Sequence, residues 1–210
     1  TQSRSSAASD VYKRQIRHET KETMNKPICA FPWFHQLIET DGRVRPCCIW
    51  NDNQKHGNSS SDFFHGEFMD SVRTRMLSGE WPQECFGCKR DEQMGRRSQR
   101  QLSWEIAASI DFDVADGPRL MSHEVHPSNV CNIRCRTCEP SSSTKWSSDA
   151  ALVGMERVGL LESGWHLTPE TAVDARRLLF LGGESLMHQD LIHDSLIKID
   201  EHGLLCKLEV

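Results

Sequence analysis

The chain has 210 residues, of which 37% are hydrophobic and 26% are charged, with a formal net charge of −5. These values are typical of a globular protein with one or two domains, and the scattered Lys and Arg residues give no reason to expect nucleic-acid binding. Because there is no run of eighteen apolar residues and no basic-then-apolar leader, we expect no membrane partner and a cytoplasmic location.

Residues 1–23 are small and polar with no apolar period, and we predict a disordered or non-native extension. A cysteine-rich segment follows over residues 24–108. It opens with a predicted β-hairpin, because Asp41-Gly42 is a strong tight-turn dipeptide between two strand-like runs that begin at Phe34 and Arg43.

Two helices are predicted in the rest of this segment. Asp62 is expected to cap a helix through about Leu77, and a polar helix is expected over roughly 89–108. Residues 109–119 contain Asp-Gly-Pro and are predicted to be a linker.

Residues 120–210 alternate between strand-like and helix-like patterns, which is typical of βαβ units around a parallel sheet. The predicted elements are a strand over 120–130, a helix over 142–158, a strand over 177–181, a helix over 188–202 and a strand over 204–210.

Nine cysteines are the most informative feature, because the cytosol disfavours disulfides and clustered thiols there indicate metal or cluster ligands. Cys131, Cys135 and Cys138 form a C-x3-C-x2-C loop. Three thiolates can hold a cubane with one iron left open. Soft sulfur donors also suit zinc, so a zinc knuckle with His123 or His126 as its fourth ligand is the alternative.

This loop resembles the signature of the radical SAM superfamily, and the run from Leu179 to Leu186 is similar to the family's second strand and Gly-Gly-Glu turn. The resemblance implies a [4Fe-4S] cluster that binds S-adenosylmethionine (SAM), with Gly182, Gly183 and Glu184 at the amino group of SAM. Glycines allow the backbone to approach a ligand, and a carboxylate can pair with an ammonium.

A second cysteine group precedes this one. Cys29, Gly42 and Cys47 follow a C-x12-G-x4-C pattern that Cys85 and Cys88 complete as C-x2-C. The group resembles the SPASM/twitch modules, which implies a second, auxiliary [4Fe-4S] cluster with no open iron. A zinc ribbon is the alternative, since four cysteines would hold zinc equally well.

Two cysteines are predicted to have other roles. The G-x4-C spacing resembles the family's ligand position at Cys47, and the adjacent Cys48 is then expected to pack against the helix of residues 62–77 as a small apolar side chain. Cys206 is expected to be a packed core thiol.

The resemblance as a whole implies an α/β protein: a small α+β cluster module, then the first βα units of a truncated (β/α)6 partial barrel. It implies an enzyme that reductively cleaves SAM to a 5′-deoxyadenosyl radical and abstracts hydrogen from an unidentified peptide or small molecule. The reducing partner would be a ferredoxin or a flavodoxin. The alternatives are a zinc-stabilised structural or interaction module and an iron–sulfur electron-transfer protein.

Overall fold

The computed structural model describes residues 26–51 and 60–205, and these form a mixed α/β fold around one four-stranded sheet. The strands are β1 (His35–Ile38), β2 (Val44–Arg45), β3 (Ser122–Val125) and β4 (Arg177–Phe180). Their order is β2-β1-β3-β4, with β1 antiparallel to β2 and parallel to β3, and β3 parallel to β4. The expected α/β class is therefore confirmed, whereas the described strands form an open sheet and not a barrel.

The predicted N-terminal hairpin is present. Ile38 pairs with Val44 in an antiparallel register, and the Glu39 N–H donates to the Arg43 carbonyl at 2.8 Å. Gly42 has φ +82°, a conformation that glycine adopts without strain. The first strand begins one residue later than expected, because Phe34 belongs to the short helix α1 (Phe31–Phe34).

The sheet runs through both parts of the chain that the sequence separates at residues 109–119. His35 of β1 pairs with Ser122 of β3, and the Met121 N–H donates to the Phe34 carbonyl at 2.9 Å. The expected linker itself contains a short 3-10 helix, Val114–Asp116. The cysteine-rich segment and the βα segment therefore share one hydrogen-bonded sheet.

The two faces of this sheet differ in chemistry because successive strand residues point to opposite sides. Ile38, Val125 and Leu178 are buried in apolar clusters that include Leu167 and Ile199. On the other face, His35 Nε2 lies 3.8 Å from Glu124 Oε2.

The helix predicted from Asp62 to Leu77 is two helices, α2 (Ser60–Phe64) and α3 (Glu67–Leu77). Gly66 separates them with an extended backbone, φ −80° and ψ 159°. A Cβ at Gly66 would lie 2.5 Å from the Asp62 carbonyl oxygen, so the chain can turn this tightly only at glycine.

The polar helix predicted over 89–108 is also two helices, α4 (Phe86–Gln93) and α5 (Gln99–Ser109). Gly95 has φ +71°, which interrupts the first helix. Ser98 then begins the second through a capping box with Gln101.

The prediction of a single helix over 142–158 is wrong. Only α6 (Thr144–Ser147) and a 3-10 helix, Ala150–Val153, form there, because Gly154 turns the chain at φ +71°. The Ser147 hydroxyl also donates to the Val158 carbonyl, which folds the segment back on itself.

The last elements agree better with the sequence. The strand predicted over 177–181 is β4, and the helix predicted over 188–202 is α8 (Gln189–Asp200). The structure adds α7 (Pro169–Ala172) before β4 and a 3-10 helix (Ser185–His188) after it. The strand predicted over 120–130 is shorter than expected, since β3 ends at Val125, just before Pro127.

Three further predictions fall at least partly outside the described residues: the extension over 1–23, the role of Cys206 and most of the strand over 204–210. Across residues 26–51 and 60–205, no helix has the length and apolar character needed to span a membrane.

Candidate metal centres

The first candidate site is the cysteine loop that follows β3. Cys131 is buried, Cys138 is half-buried and Cys135 is exposed. Burial raises the pKa of the Cys138 thiol, and the neighbouring thiols of Cys135 and Cys131 raise it further. The Cys138 N–H donates to the Cys135 carbonyl at 3.0 Å, which closes a tight turn. The structure therefore places these three predicted ligands on one short loop, with Cys135 and Cys138 in the same turn.

Side chains of α6 hold this loop in place. The Cys131 N–H donates to the Thr144 hydroxyl at 3.3 Å, and the Trp146 indole N–H donates to the Cys135 carbonyl at 2.6 Å. The sequence pattern suggested a long helix here and gave no sign of these contacts. Thr144 and Trp146 are therefore supporting residues that only the structure reveals.

The Gly-Gly-Glu turn lies directly against the backbone that leads into the cysteine loop. The Gly183 N–H donates to the Ser128 carbonyl at 3.2 Å, and the Glu184 N–H donates to the Val130 carbonyl at 2.8 Å. A Cβ at Gly183 would lie 2.2 Å from the Val130 oxygen, and Gly182 has φ +105°. Both glycines are therefore required by the backbone geometry.

The Glu184 side chain is half-buried beside this turn. Its carboxylate accepts from the Leu186 N–H at 3.5 Å, which is at the outer limit of a hydrogen bond. A carboxylate held this weakly can exchange its partner for an ammonium group, which forms a stronger, charge-assisted bond.

Two polar residues before the loop are fixed by contacts far along the chain. Ser128 Oγ lies 2.8 Å from His188 Nε2. The buried Asn129 amide donates to the Gly159 carbonyl at 2.9 Å and accepts from the Leu161 N–H at 2.9 Å. Neither residue carries a sequence signal, because these partners lie 30 or more positions away.

The second candidate site is a cavity of about 340 Å³, measured with its opening. All four predicted auxiliary ligands line it: Cys29, Cys47, Cys85 and Cys88. The remaining wall is Pro27, Phe31, Ile49, Met76, Trp81, Glu84, Gln99 and Arg100. The structure therefore gathers four thiols, from positions as far apart as 29 and 88, around one space.

Each thiol arrives on a different local structure. Cys29 precedes α1, Cys47 follows β2, Cys85 ends the 3-10 helix Gln83–Cys85, and Cys88 lies in α4. The Asn51 N–H donates to the Glu84 carbonyl at 3.1 Å, which ties the segment after the hairpin to the C-x2-C turn.

Burial and the proximity of the other thiols raise the pKa of the cysteines that line the cavity. Burial raises the pKa of Cys29 to about 12. Burial also raises the pKa of Cys47, and the thiols of Cys29 and Cys85 raise it further. The pKa of Cys85 is raised by burial and then by Cys29 and Cys88. The cavity is therefore lined by protonated thiols that must release protons when they bind a metal.

Cys48 lies apart from this group and is exposed. Burial of part of its thiol raises the pKa of Cys48, and the nearby Glu124 carboxylate raises it further. Cys47 lines the cavity, and Cys48 is not among the residues of its wall.

The two histidines considered as zinc ligands for the first site have other contacts. His123 Nδ1 lies 2.9 Å from Gln36 Nε2. His126 lies between Glu39 at 3.4 Å and Glu124 at 3.5 Å. Within the described part of the chain, no three His, Cys, Asp or Glu side chains form a group that could hold a metal ion.

Comparisons of the chain with protein-family models, with curated proteins and with solved structures find no match. The functional argument therefore depends on the geometry of the two cysteine groups.

Proposed function

We propose that the protein is a radical SAM enzyme in which Cys131, Cys135 and Cys138 hold a [4Fe-4S] cluster that binds SAM. The observation that carries this proposal is the direct packing of the Gly-Gly-Glu turn on the backbone before the cysteine loop, with the Glu184 N–H 2.8 Å from the Val130 carbonyl. Both segments follow parallel strands, β3 and β4, at their C-terminal ends. That end of a βα sheet is where such folds bind ligands.

The donor set fits the proposed group. Three thiols on one tight loop supply three of the four ligands of a cubane, and the open iron can accept SAM. When bound, a reduced cluster of this kind supplies the electron that cleaves SAM to methionine and a 5′-deoxyadenosyl radical. Gly182 and Gly183 let the turn pack on the backbone before the cysteine loop, and Glu184 offers a carboxylate for the amino group of SAM.

The four-thiol cavity supports an auxiliary [4Fe-4S] cluster held by Cys29, Cys47, Cys85 and Cys88. Four thiols complete a cubane, so this cluster would have no open iron. A zinc ribbon held by the same four thiols is the alternative. A protein that only carries electrons would have no use for a Gly-Gly-Glu turn beside a three-cysteine loop.

The remaining parts of the proposal follow from the resemblance. The open parallel sheet of β3 and β4 would be the start of a partial barrel that follows an auxiliary module. The reaction would be hydrogen abstraction from a peptide or a small molecule, and a ferredoxin or a flavodoxin in the cytoplasm would supply the electron.

Anaerobic reconstitution followed by electron paramagnetic resonance (EPR) tests the proposal. The chain should bind about eight irons, and the triple variant Cys131→Ala, Cys135→Ala, Cys138→Ala should retain about half. Adding SAM to the reduced protein should change only the EPR signal that the triple variant lacks. Stoichiometric zinc in place of iron, or a spectrum unchanged by SAM, would refute the proposal.

A further inference from the structure

A buried arginine forms part of the wall of the four-thiol cavity. Arg100 is 2% exposed and lines the cavity with the cysteines. Its Nε and Nη2 donate to the two carboxylate oxygens of Glu92 at 2.8 and 2.7 Å, and its Nη1 donates to the Lys26 carbonyl at 2.9 Å. A buried guanidinium is stable only when it is paired in this way, so its position beside the thiols is strongly determined.

The start of α5 adds further positive character to the same wall. Ser98 caps this helix, and its hydroxyl donates to Glu92 at 2.5 Å. The backbone N–H groups of Gln99 and Arg100 and the Ser98 hydroxyl are hydrogen-bond donors to the Cys88 thiol. The N-terminus of the helix therefore faces Cys88, where its dipole favours negative charge.

From this geometry we infer that Arg100 raises the reduction potential of the auxiliary cluster. The inference rests on the proposed function. A four-thiolate cubane gains one negative charge when it takes up an electron, and nearby positive charge in a water-poor wall stabilises that reduced form. The Glu92 carboxylate opposes part of this effect.

A potentiometric titration followed by EPR measures the effect. It uses the full chain with Cys131, Cys135 and Cys138 replaced by Ala, so that one cluster signal remains. Arg100→Gln should lower the reduction potential of the cluster by about 59 mV. At a fixed applied potential, this raises the ratio of oxidised to reduced cluster about tenfold. Arg100→Lys, which keeps the charge, should shift the ratio much less. Glu92→Gln should raise the potential.

Opposite shifts from the two partners of one ion pair separate an electrostatic role from a structural one, because both substitutions remove the same contact. Arg97→Gln is the matched control, since Arg97 precedes the same helix but its side chain is 60% exposed and pairs with Glu105. This control should leave the potential unchanged.

The outcomes distinguish this inference from the proposed function. If the cluster assembles but its potential is the same in Arg100→Gln and Glu92→Gln, or shifts in one direction in both, the inference is wrong and the cluster assignment stands. If the parent chain binds zinc at this site, the auxiliary cluster itself is refuted. If Arg100→Gln fails to retain iron, the reduction potential of the Glu92→Gln variant tests the inference. A raised potential supports the inference, and an unchanged potential overturns it.

Discussion

The backbone N–H of Glu184 donates to the carbonyl of Val130 at 2.8 Å, which joins two motifs more than 50 residues apart in the chain. Val130 immediately precedes Cys131, so this bond sets the distance between the Gly-Gly-Glu turn and the cysteine loop. The contact is possible because Gly183 has no side chain: a Cβ there would lie 2.2 Å from the Val130 oxygen.

Gly183→Ala should therefore separate the two motifs. The added methyl group meets backbone atoms, which cannot rotate away, so we expect unfolding to become easier by about 1–3 kcal/mol. We also expect the cluster on the C-x3-C-x2-C loop to be lost more readily. Chemical denaturation and iron analysis after gel filtration measure the two effects.

Gly159→Ala is the matched control for this substitution. A Cβ at Gly159 meets nothing within 4 Å, and its backbone is not in the left-handed region. It should change neither stability nor iron content. Equal behaviour of the two variants would show that the close approach of the turn to Val130 is not needed.

Glu184→Gln should weaken SAM binding without loss of iron. The amide keeps the size of the side chain but removes the charge that would pair with the ammonium of SAM. A hydrogen bond to a charged group contributes about 1.5–3 kcal/mol, so the dissociation constant should rise by about tenfold or more. Titration of SAM into the reduced protein, followed by EPR, measures it. An unchanged affinity would remove Glu184 from the SAM site.

Local sequence signals predicted the elements that short-range chemistry determines. The hairpin follows from Asp41-Gly42, and β4 follows from an apolar run that ends at two glycines. The capping box at Ser98 was a readable signal for the start of α5, but the polar composition of the segment concealed it. Gly66 and Gly95 were likewise sequence signals for the two helix breaks.

Long-range relationships could not be predicted in this manner. The parallel pairing of β1 with β3 depends on which strands meet in space, and alternation alone carries no information about a partner. The same is true of Asn129, whose contacts are with backbone atoms at Gly159 and Leu161. The cysteine pattern grouped Cys29 and Cys47 with the C-x2-C pair, and these thiols line one cavity, but the guanidinium of Arg100 in its wall had no sequence signature.

The parallel pairing of β1 and β3 buries a histidine, and this predicts a loss of stability in acid. Burial, together with the nearby His35, lowers the pKa of His123 to about 3. Its Nε2 has no hydrogen-bond partner among the described residues. Above pH 6.5 the His123 imidazole is neutral in both the folded and the unfolded chain, so it contributes nothing to the pH dependence of the free energy of unfolding.

As the pH falls below about 6.5, the unfolded chain binds a proton at this position that the folded chain excludes. The free energy of unfolding should therefore fall by up to about 1.4 kcal/mol for each pH unit because of His123. Urea denaturation between pH 7 and pH 5 measures the slope. His123→Gln should reduce the slope, and His35, whose pKa burial lowers to about 4, should maintain the rest of it. The exposed His202→Gln should not reduce the slope. Parallel slopes for all three proteins would contradict a buried neutral imidazole.

The adjacent cysteines after β2 provide the sharpest test of the auxiliary site. Cys47 lines the cavity with the other three thiols, whereas Cys48 is exposed and lies near Glu124. The expectation that Cys48 is a packed apolar side chain against the helix of residues 62–77 is therefore wrong: β2 ends at Arg45, and Cys48 lies exposed in the turn that follows.

Cys47→Ser should remove one of the four soft ligands and lower the iron content by up to about half, because an alcohol is a poor ligand for an iron–sulfur cluster at neutral pH. Cys48→Ser is the matched control and should retain the full iron content, with a change in stability within about 0.5 kcal/mol as for an exposed position. Iron and sulfide analysis of both variants in the triple-alanine background isolates the auxiliary cluster. Loss of iron from Cys48→Ser with retention in Cys47→Ser would reassign the fourth ligand to Cys48.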